Sequence, residues 1–281
     1  MTDTVLLTSK RVNVTPSNIK YVLHAVGIEP GDIVMVHSRL FSLGRAAPGV
    51  GKNCVADAFI EALLQTVGSE GVILFPTFTF AVCKSCFFDV NETKSEMGLL
   101  SECARHRSDG SRTHHPFFSV SILGRRKTLF SAINLNTSFG ENSFFDILHK
   151  VNQTSKNKGK VKFLTIGVDL PPSAVTYIHS IEEKLAVPYR YHKKFSGIVR
   201  AGIKLTPYDV MFFVRDLTTE VIFDSDACWK LLKNEEGVKV EPLGDSFVAM
   251  LREATIFETL THKIAQESDF LCKGGYRKGN L

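Results

Sequence analysis

The chain has 281 residues, 44% of them hydrophobic, with 34 Lys and Arg against 29 Asp and Glu for a net charge of +5. That length is enough for one large domain or two closely packed ones, and the mild, scattered basic excess is too weak to argue for a nucleic-acid partner. No run approaches the ~18 apolar residues of a membrane span. The N-terminal stretch lacks an apolar core long enough for a secretory signal. A cytoplasmic chain is therefore expected, with Cys54, Cys83, Cys86, Cys103, Cys228 and Cys272 as thiols rather than disulfides.

Thr15 and Pro16 form a helix start, since Thr can cap and Pro suits the first turn. Ile19, Val22, Leu23 and Val26 then fall on one helical face, and Gly27 ends it. Ile33 to Val36 form a short apolar run that suits a buried strand. Residues 54–66 read as helix and "GVILFPTF" as strand. Helix, strand, helix, strand over the first eighty residues predicts an α/β layered domain with a largely parallel sheet. From Phe80 to Gly110 the apolar rhythm weakens, as in a binding loop, with a short helix in "SEMGLLSECARH". "FFSVSIL" reads as strand, "SFFDILHKV" as helix, 152–160 as a polar connection and "VKFLTIGV" as another buried strand. Helix is expected from about Thr176. After Val187, "GIVRAG", "DVMFFVRDL" and "EVIFD" read as short antiparallel strands, before a final helix. The expected whole is a single three-layer α/β/α domain over 1–281. It has a mixed, largely parallel sheet, a smaller antiparallel β-rich part at 187–245 and a basic tail at 272–281.

His179 and Glu182 share a helix face at a spacing of three residues, with Glu183 beside them and Thr176 one turn earlier. A neutral imidazole can take a proton near neutral pH, and a carboxylate on its other nitrogen fixes the tautomer. On spacing alone this is also an ordinary solvated helix face. Cys83 and Cys86, followed after sixteen residues by Cys103 and His106, resemble a structural zinc spacing. The alternative is small hydrophobic cysteines beside a helix. The turn "GRAAPGVGKN" fails the phosphate-loop spacing, although a Gly-rich turn before a helix can present N–H groups to an anion. His37 and Ser38 end a buried strand, where α/β sheets bind ligands; a plain polar strand end is the competing reading.

Taken in order, "GDIVMVHSRLFSLG", "GVILFPTFTF", "FDVNETKSEMGLLSECARHRSDGSRTHHPFFSVSILG", "FGENSFFDIL" and "TIGVDLPPSAVTYIHSIEEKLAVPYR" resemble the aminoglycoside 3-N-acetyltransferase family. These are acetyl-CoA-dependent enzymes linked to antibiotic resistance, with a fold unlike the common GNAT acetyltransferases. The resemblance implies that His179 is the base, with Glu182 and Thr176 as its catalytic neighbours. It implies that His37, Ser38, Arg39, Leu43, Gly44, Thr77, Thr79, Arg112, His115 and Ser119 line the acetyl-CoA site. It places Phe88, Asp89, Glu102, Asp169 and Glu183 toward the substrate, a small-molecule amine. No metal, nucleic acid or membrane partner is implied, and a monomer or homodimer is expected. Some positions depart from the family pattern. Lys94 stands within Thr93–Ser95 where the family has Pro, Arg39 replaces a Ser, and Thr113 follows Arg112 in place of Ser. This added positive charge favours a nucleotide-linked or surface-glycan amino sugar over an aminoglycoside as acceptor. Two alternatives stand beside this reading: a zinc-stapled binding module, and a transferase with another acyl donor or an alcohol acceptor.

Overall fold

Thr15 caps the first helix as its sequence implies. Its hydroxyl accepts from the Asn18 N–H, and the Asn18 side chain accepts in return from the Thr15 N–H. The computed structural model describes residues 3–130, 132–218 and 221–276. Through Asp89 the chain runs β1 (Leu7–Thr8), α1 (Pro16–Ala25), β2 (Ile33–Ser38), β3 (Arg45–Ala46), α2 (Lys52–Val67), β4 (Val72–Pro76), α3 (Val82–Ser85) and β5 (Phe87–Asp89). It continues through α4 (Leu99–Arg105), β6 (Ser111–Arg112), β7 (Val120–Leu123), α5 (Phe144–Gln153), β8 (Val161–Ile166) and α6 (Ile178–Lys184). The last third comprises β9 (Arg190–Ala201), β10 (Lys204–Arg215), α7 (Ser225–Leu232), β11 (Val238–Leu243), β12 (Ser246–Arg252) and α8 (Glu253–Gln266). Among the described residues no helix is long and apolar enough to cross a membrane.

The apolar run in β2 is buried on both sides. Ile33 and Met35 join one core with Leu148 of α5, Ile181 of α6 and Leu260 of α8. Val34 and Val36 join another with Leu23 of α1, Phe59 of α2 and Leu100 of α4. Such a strand has no polar face to alternate, which is why its sequence reads as continuous hydrophobics. The large sheet has seven strands in the order β11-β12-β8-β2-β4-β7-β6. Parallel pairing is confined to β8-β2-β4; β7, β6, β12 and β11 all join antiparallel. The expectation of a largely parallel sheet thus holds only at its centre.

A smaller sheet is built on the β9–β10 hairpin, paired antiparallel from Arg190↔Arg215 to Ala201↔Lys204, with β5 added in parallel to β9. Two segments assigned by sequence to the β-rich stretch behave differently. Ser225–Leu232 is helical, and Val238–Leu243 forms the edge of the large sheet. Of the expected tail, Cys272 is buried and bridges Phe223, and Tyr276 packs on Tyr189. The residues 277–281 lie outside the described ones.

The carboxyl ends of the parallel strands β2 and β8 meet closely. Ser42 donates to the Gly167 carbonyl at 2.6 Å, and a Cβ at Gly167, whose φ is +69°, would fall 2.7 Å from the Arg39 carbonyl. Only glycine fits there. This junction sets the positions of His37–Arg39 on one side and of the loop leading to α6 on the other.

Candidate active site

The turn at Pro171–Ser173 delivers the chain into α6, whose inner face carries Ile178, Ile181 and Glu182. His179 lies one position along from that face, with its side chain 28% exposed. Its Nδ1 stands 2.5 Å from Oε2 of Glu182, which is fully buried. After α6, Ala186 adopts a left-handed conformation (φ +49°), and the Val187 N–H returns to the Glu182 carbonyl. This reversal brings Tyr189 and Arg190 back over the same carboxylate. Tyr189 donates to Glu182 Oε1 at 2.7 Å, and Arg190 Nε lies 2.9 Å from Oε2.

Arg190 Nη2 also approaches His179 Nδ1 to 2.9 Å. One ring nitrogen cannot both donate to Glu182 and accept from Arg190. Burial favours the carboxylate acceptance, because an ionised acid in a dry site needs every donor it can reach. His179 is therefore the Nδ1–H tautomer, which leaves Nε2 as the basic nitrogen. Burial and then the Arg190 charge push the His179 pKa below its ordinary value, against the pull of Glu182. For Glu182, burial works upward, but His179, Arg190 and the Tyr189 hydrogen bond outweigh it and hold the carboxyl below its usual range. At neutral pH the pair is a neutral imidazole beside a carboxylate, the state in which a base can act.

His179 opens on a cavity of about 330 Å³ whose walls include Phe80, Phe118, Phe139, Phe212 and Phe223, with Thr176, Arg190 and Arg215. Phe139 and Phe223 pack edgewise on the imidazole, with centroids 5.9 and 6.1 Å away. A second cavity of about 490 Å³ is lined by His37, Ser38, Arg39, Pro76, Met97, Gly98 and Val168. The two share Phe80, Ser173 and Thr176, so Thr176 stands where they meet. His37 Nε2 is buried and lacks a hydrogen-bond partner, while burial lowers the ring pKa to about 4. A neutral ring with an unmatched polar atom beside a groove fits a polar ligand group there.

The structure does not bring the other expected residues to this place. Leu43 is fully buried, and Gly44 packs on the Thr8 carbonyl. Arg112 is a strut: it donates to Thr77, Ser119 and the carbonyls of Val90, Thr93 and Thr77, with its guanidinium 4.8 Å from the Phe88 ring centroid. Thr79 is buried and donates to the Pro116 carbonyl. His115 accepts from the Phe117 and Phe118 N–H groups and faces the Thr137 carbonyl. Neither cavity is lined by these seven.

The residues expected toward the substrate also lie outside these two cavities. Asp89 pairs with Arg200 and accepts from the Asn91 and Glu92 N–H groups. Glu102 pairs with Arg105 at 2.6 Å; burial works upward on it, but Arg105 and the Ser95 N–H carry its pKa down to about 2. Phe88 is buried, and Asp169 is exposed on the loop before α6. Glu183 faces a third cavity of about 410 Å³, with His192 3.1 Å away. Tyr189, Arg190 and Arg215 were not assigned roles from sequence.

The cysteine pairs do not converge. Cys103 Sγ faces the Asn53 side chain and His106 faces Glu102, and among the described residues no group of three or more His, Cys, Asp or Glu is placed to hold a metal ion. Burial, and then the charge of Glu182, push the thiols of Cys228 and Cys272 up to about 12. They are protonated at neutral pH and poor nucleophiles.

The family model for aminoglycoside 3-N-acetyltransferases matches residues 35–264. The chain is 26% identical over 151 residues to aminoglycoside N(3)-acetyltransferase VII of Streptomyces paromomycinus, covering 47% of this chain and 50% of that protein. It is 25% identical over 201 residues to aminoglycoside N(3)-acetyltransferase III of Serratia marcescens, covering 62% of this chain and 66% of that one. The chain thus spans between half and two thirds of these relatives' lengths. The fold is similar to that of AAC-IIIb solved with CoASH (TM-score 0.72, 20% identity, 90% of this chain and 97% of that one). It is also similar to YokD of Bacillus subtilis (TM-score 0.69, 20% identity, 94% and 96%). With that family's pattern matched across most of its length, the chain belongs to the aminoglycoside 3-N-acetyltransferase family.

Proposed function

We propose that this chain is an acetyl-CoA-dependent N-acetyltransferase that acts on a primary amine of an amino sugar, with His179 as general base. The observation that carries the reading is the His179–Glu182 pair, 2.5 Å apart, facing a cavity that shares a wall with the groove at His37. Relatives solved with CoASH and with sisomicin support a donor and an amine acceptor on this fold.

Acetyl-CoA would lie with its pantetheine arm along His37–Arg39 and its thioester near Thr176. The amine nitrogen attacks the thioester carbonyl, and an N–C bond forms. His179 Nε2 takes a proton from that nitrogen, and Glu182 stabilises the imidazolium that results. The C–S bond then breaks, and the proton passes from His179 to the departing sulfur, leaving an amide and CoA. Holding both substrates in adjoining cavities supplies much of the acceleration. Direct attack suits a site whose nearby cysteines stay protonated. Asp89 and Glu102, already paired, are not free to gather a polycation, so an amino sugar on a nucleotide or surface glycan fits better than an antibiotic.

The test is CoA release from acetyl-CoA with a panel of amines. His179→Ala should lose roughly two to four decades of turnover while still binding acetyl-CoA. Near-normal turnover in that variant would remove His179 from the mechanism.

A further inference from the structure

Arg190 and Arg215 stand directly opposite each other as the first and last paired residues of the β9–β10 hairpin, and both line the His179 cavity. Like charges in this position repel and destabilise a strand pair. Arg190 is compensated by Glu182. Arg215 is exposed, donates to the Val221 carbonyl at 3.0 Å, and among the described residues has no carboxylate in ion-pair contact. The pairing therefore places an uncompensated guanidinium at the mouth of an aromatic cavity.

A second observation points the same way. Residues 190–215 hold six Lys and Arg (Arg190, Lys193, Lys194, Arg200, Lys204 and Arg215) against one acid, Asp209. This excess equals the net +5 of the entire chain, and Asp209 itself is paired with Lys194. With Arg190 paired to Glu182 and Arg200 to Asp89 as well, Lys193, Lys204 and Arg215 carry the remaining positive field of the hairpin, and of these three Arg215 lines the cavity. Such a field attracts anions to the cavity and repels polycations.

We propose that the acceptor amine belongs to a molecule that also carries an oxyanion, and that Arg215 binds that group while the amine faces His179. This rests on the acetyl-transfer reading above and names the acceptor's charge. An anion between Arg190 and Arg215 relieves their repulsion. A polycationic acceptor would add charge beside two guanidiniums and the imidazolium formed during reaction. Arg215 is a binding and specificity residue here, separate from the acetyl-CoA groove at His37.

The test is calorimetric binding of three amines, glucosamine, glucosamine 6-phosphate and kanamycin, to the full chain saturated with CoA. The expected result is glucosamine 6-phosphate binding at least about tenfold tighter than glucosamine, in line with a charge-assisted Arg contact, with kanamycin weakest. Arg215→Ala should bring the two sugars within about threefold of each other and leave CoA affinity unchanged. Arg215→Glu should move kanamycin above glucosamine 6-phosphate. Kanamycin as the tightest ligand of the native chain would overturn the proposal, as would a phosphate preference that survives Arg215→Ala. Loss of CoA affinity in Arg215→Ala would also overturn it, by making Arg215 a ligand of the donor's own phosphates. Thiol release measured in parallel separates the two readings. Transfer to any of the amines without a phosphate preference sinks this inference alone, whereas binding with no transfer to any amine sinks the transferase reading.

Discussion

Tyr189 and His179 reach the same buried carboxylate from opposite ends of one reversal of the chain: the phenol donates to Oε1 of Glu182 at 2.7 Å and the imidazole to Oε2 at 2.5 Å. The carboxylate is thereby locked in one orientation, and it in turn fixes the ring. Removing its charge while keeping its shape separates orientation from electrostatics.

Glu182→Gln therefore affects both rate and pH dependence. On the proposed mechanism the imidazole must be neutral to act, so activity should rise with pH through the His179 pKa, which burial and Arg190 hold below the ordinary value. Glu182 is the group that pulls this pKa upward. Its neutralisation should move the acidic limb of the kcat/KM profile to lower pH while turnover falls about tenfold to a hundredfold. A limb that moves to higher pH would contradict the arrangement of charges described here.

Arg112 donates to three carbonyls and two hydroxyls beside Phe88, and we propose a structural role for it in place of CoA binding. Arg112→Ala takes the guanidinium from the Val90 and Thr93 carbonyls, while Ser119 still donates to the Thr77 carbonyl, at a cost of about 3 kcal/mol. Thermal unfolding should come roughly 5–10 °C earlier. The KM for acetyl-CoA, measured well below the transition, should change by less than about threefold. A large KM effect with an unaltered Tm would return Arg112 to the cofactor site.

Ala186 carries a left-handed backbone at the reversal that aims Tyr189 and Arg190 at Glu182. A side chain in this conformation costs about 1 kcal/mol, and glycine escapes it. Ala186→Gly should raise Tm by about 2–4 °C with the same turnover. A loss of turnover at higher stability would show that the tension at Ala186 serves the geometry of Glu182.

Much of the fold could be read from local chemistry. The Thr15 cap and the apolar run of β2 state their structures outright, because each depends on neighbours within a few residues. The direction of β7 could not be read, since an apolar strand looks the same whichever way its partner runs, and Val248–Arg252 reads as the start of the final helix but pairs as β12. The pairing of His179 with Glu182 was legible through their helical spacing. Tyr189 and Arg190 come back to Glu182 through a left-handed alanine, which leaves no mark in the sequence as a glycine would. Arg190 meets Arg215 through a register set across twenty-five positions of chain. The ion pairs of Asp89 with Arg200 and of Glu102 with Arg105 leave no mark in the sequence, because each forms only once the loop is folded.

The wall at Phe80, Ser173 and Thr176, common to both cavities, has a kinetic consequence. With a donor on one side of that wall and an acceptor on the other, neither needs to leave before the other arrives, and no acylated enzyme need persist between them. Initial rates measured against both substrates should trace intersecting rather than parallel reciprocal lines, the signature of a ternary complex.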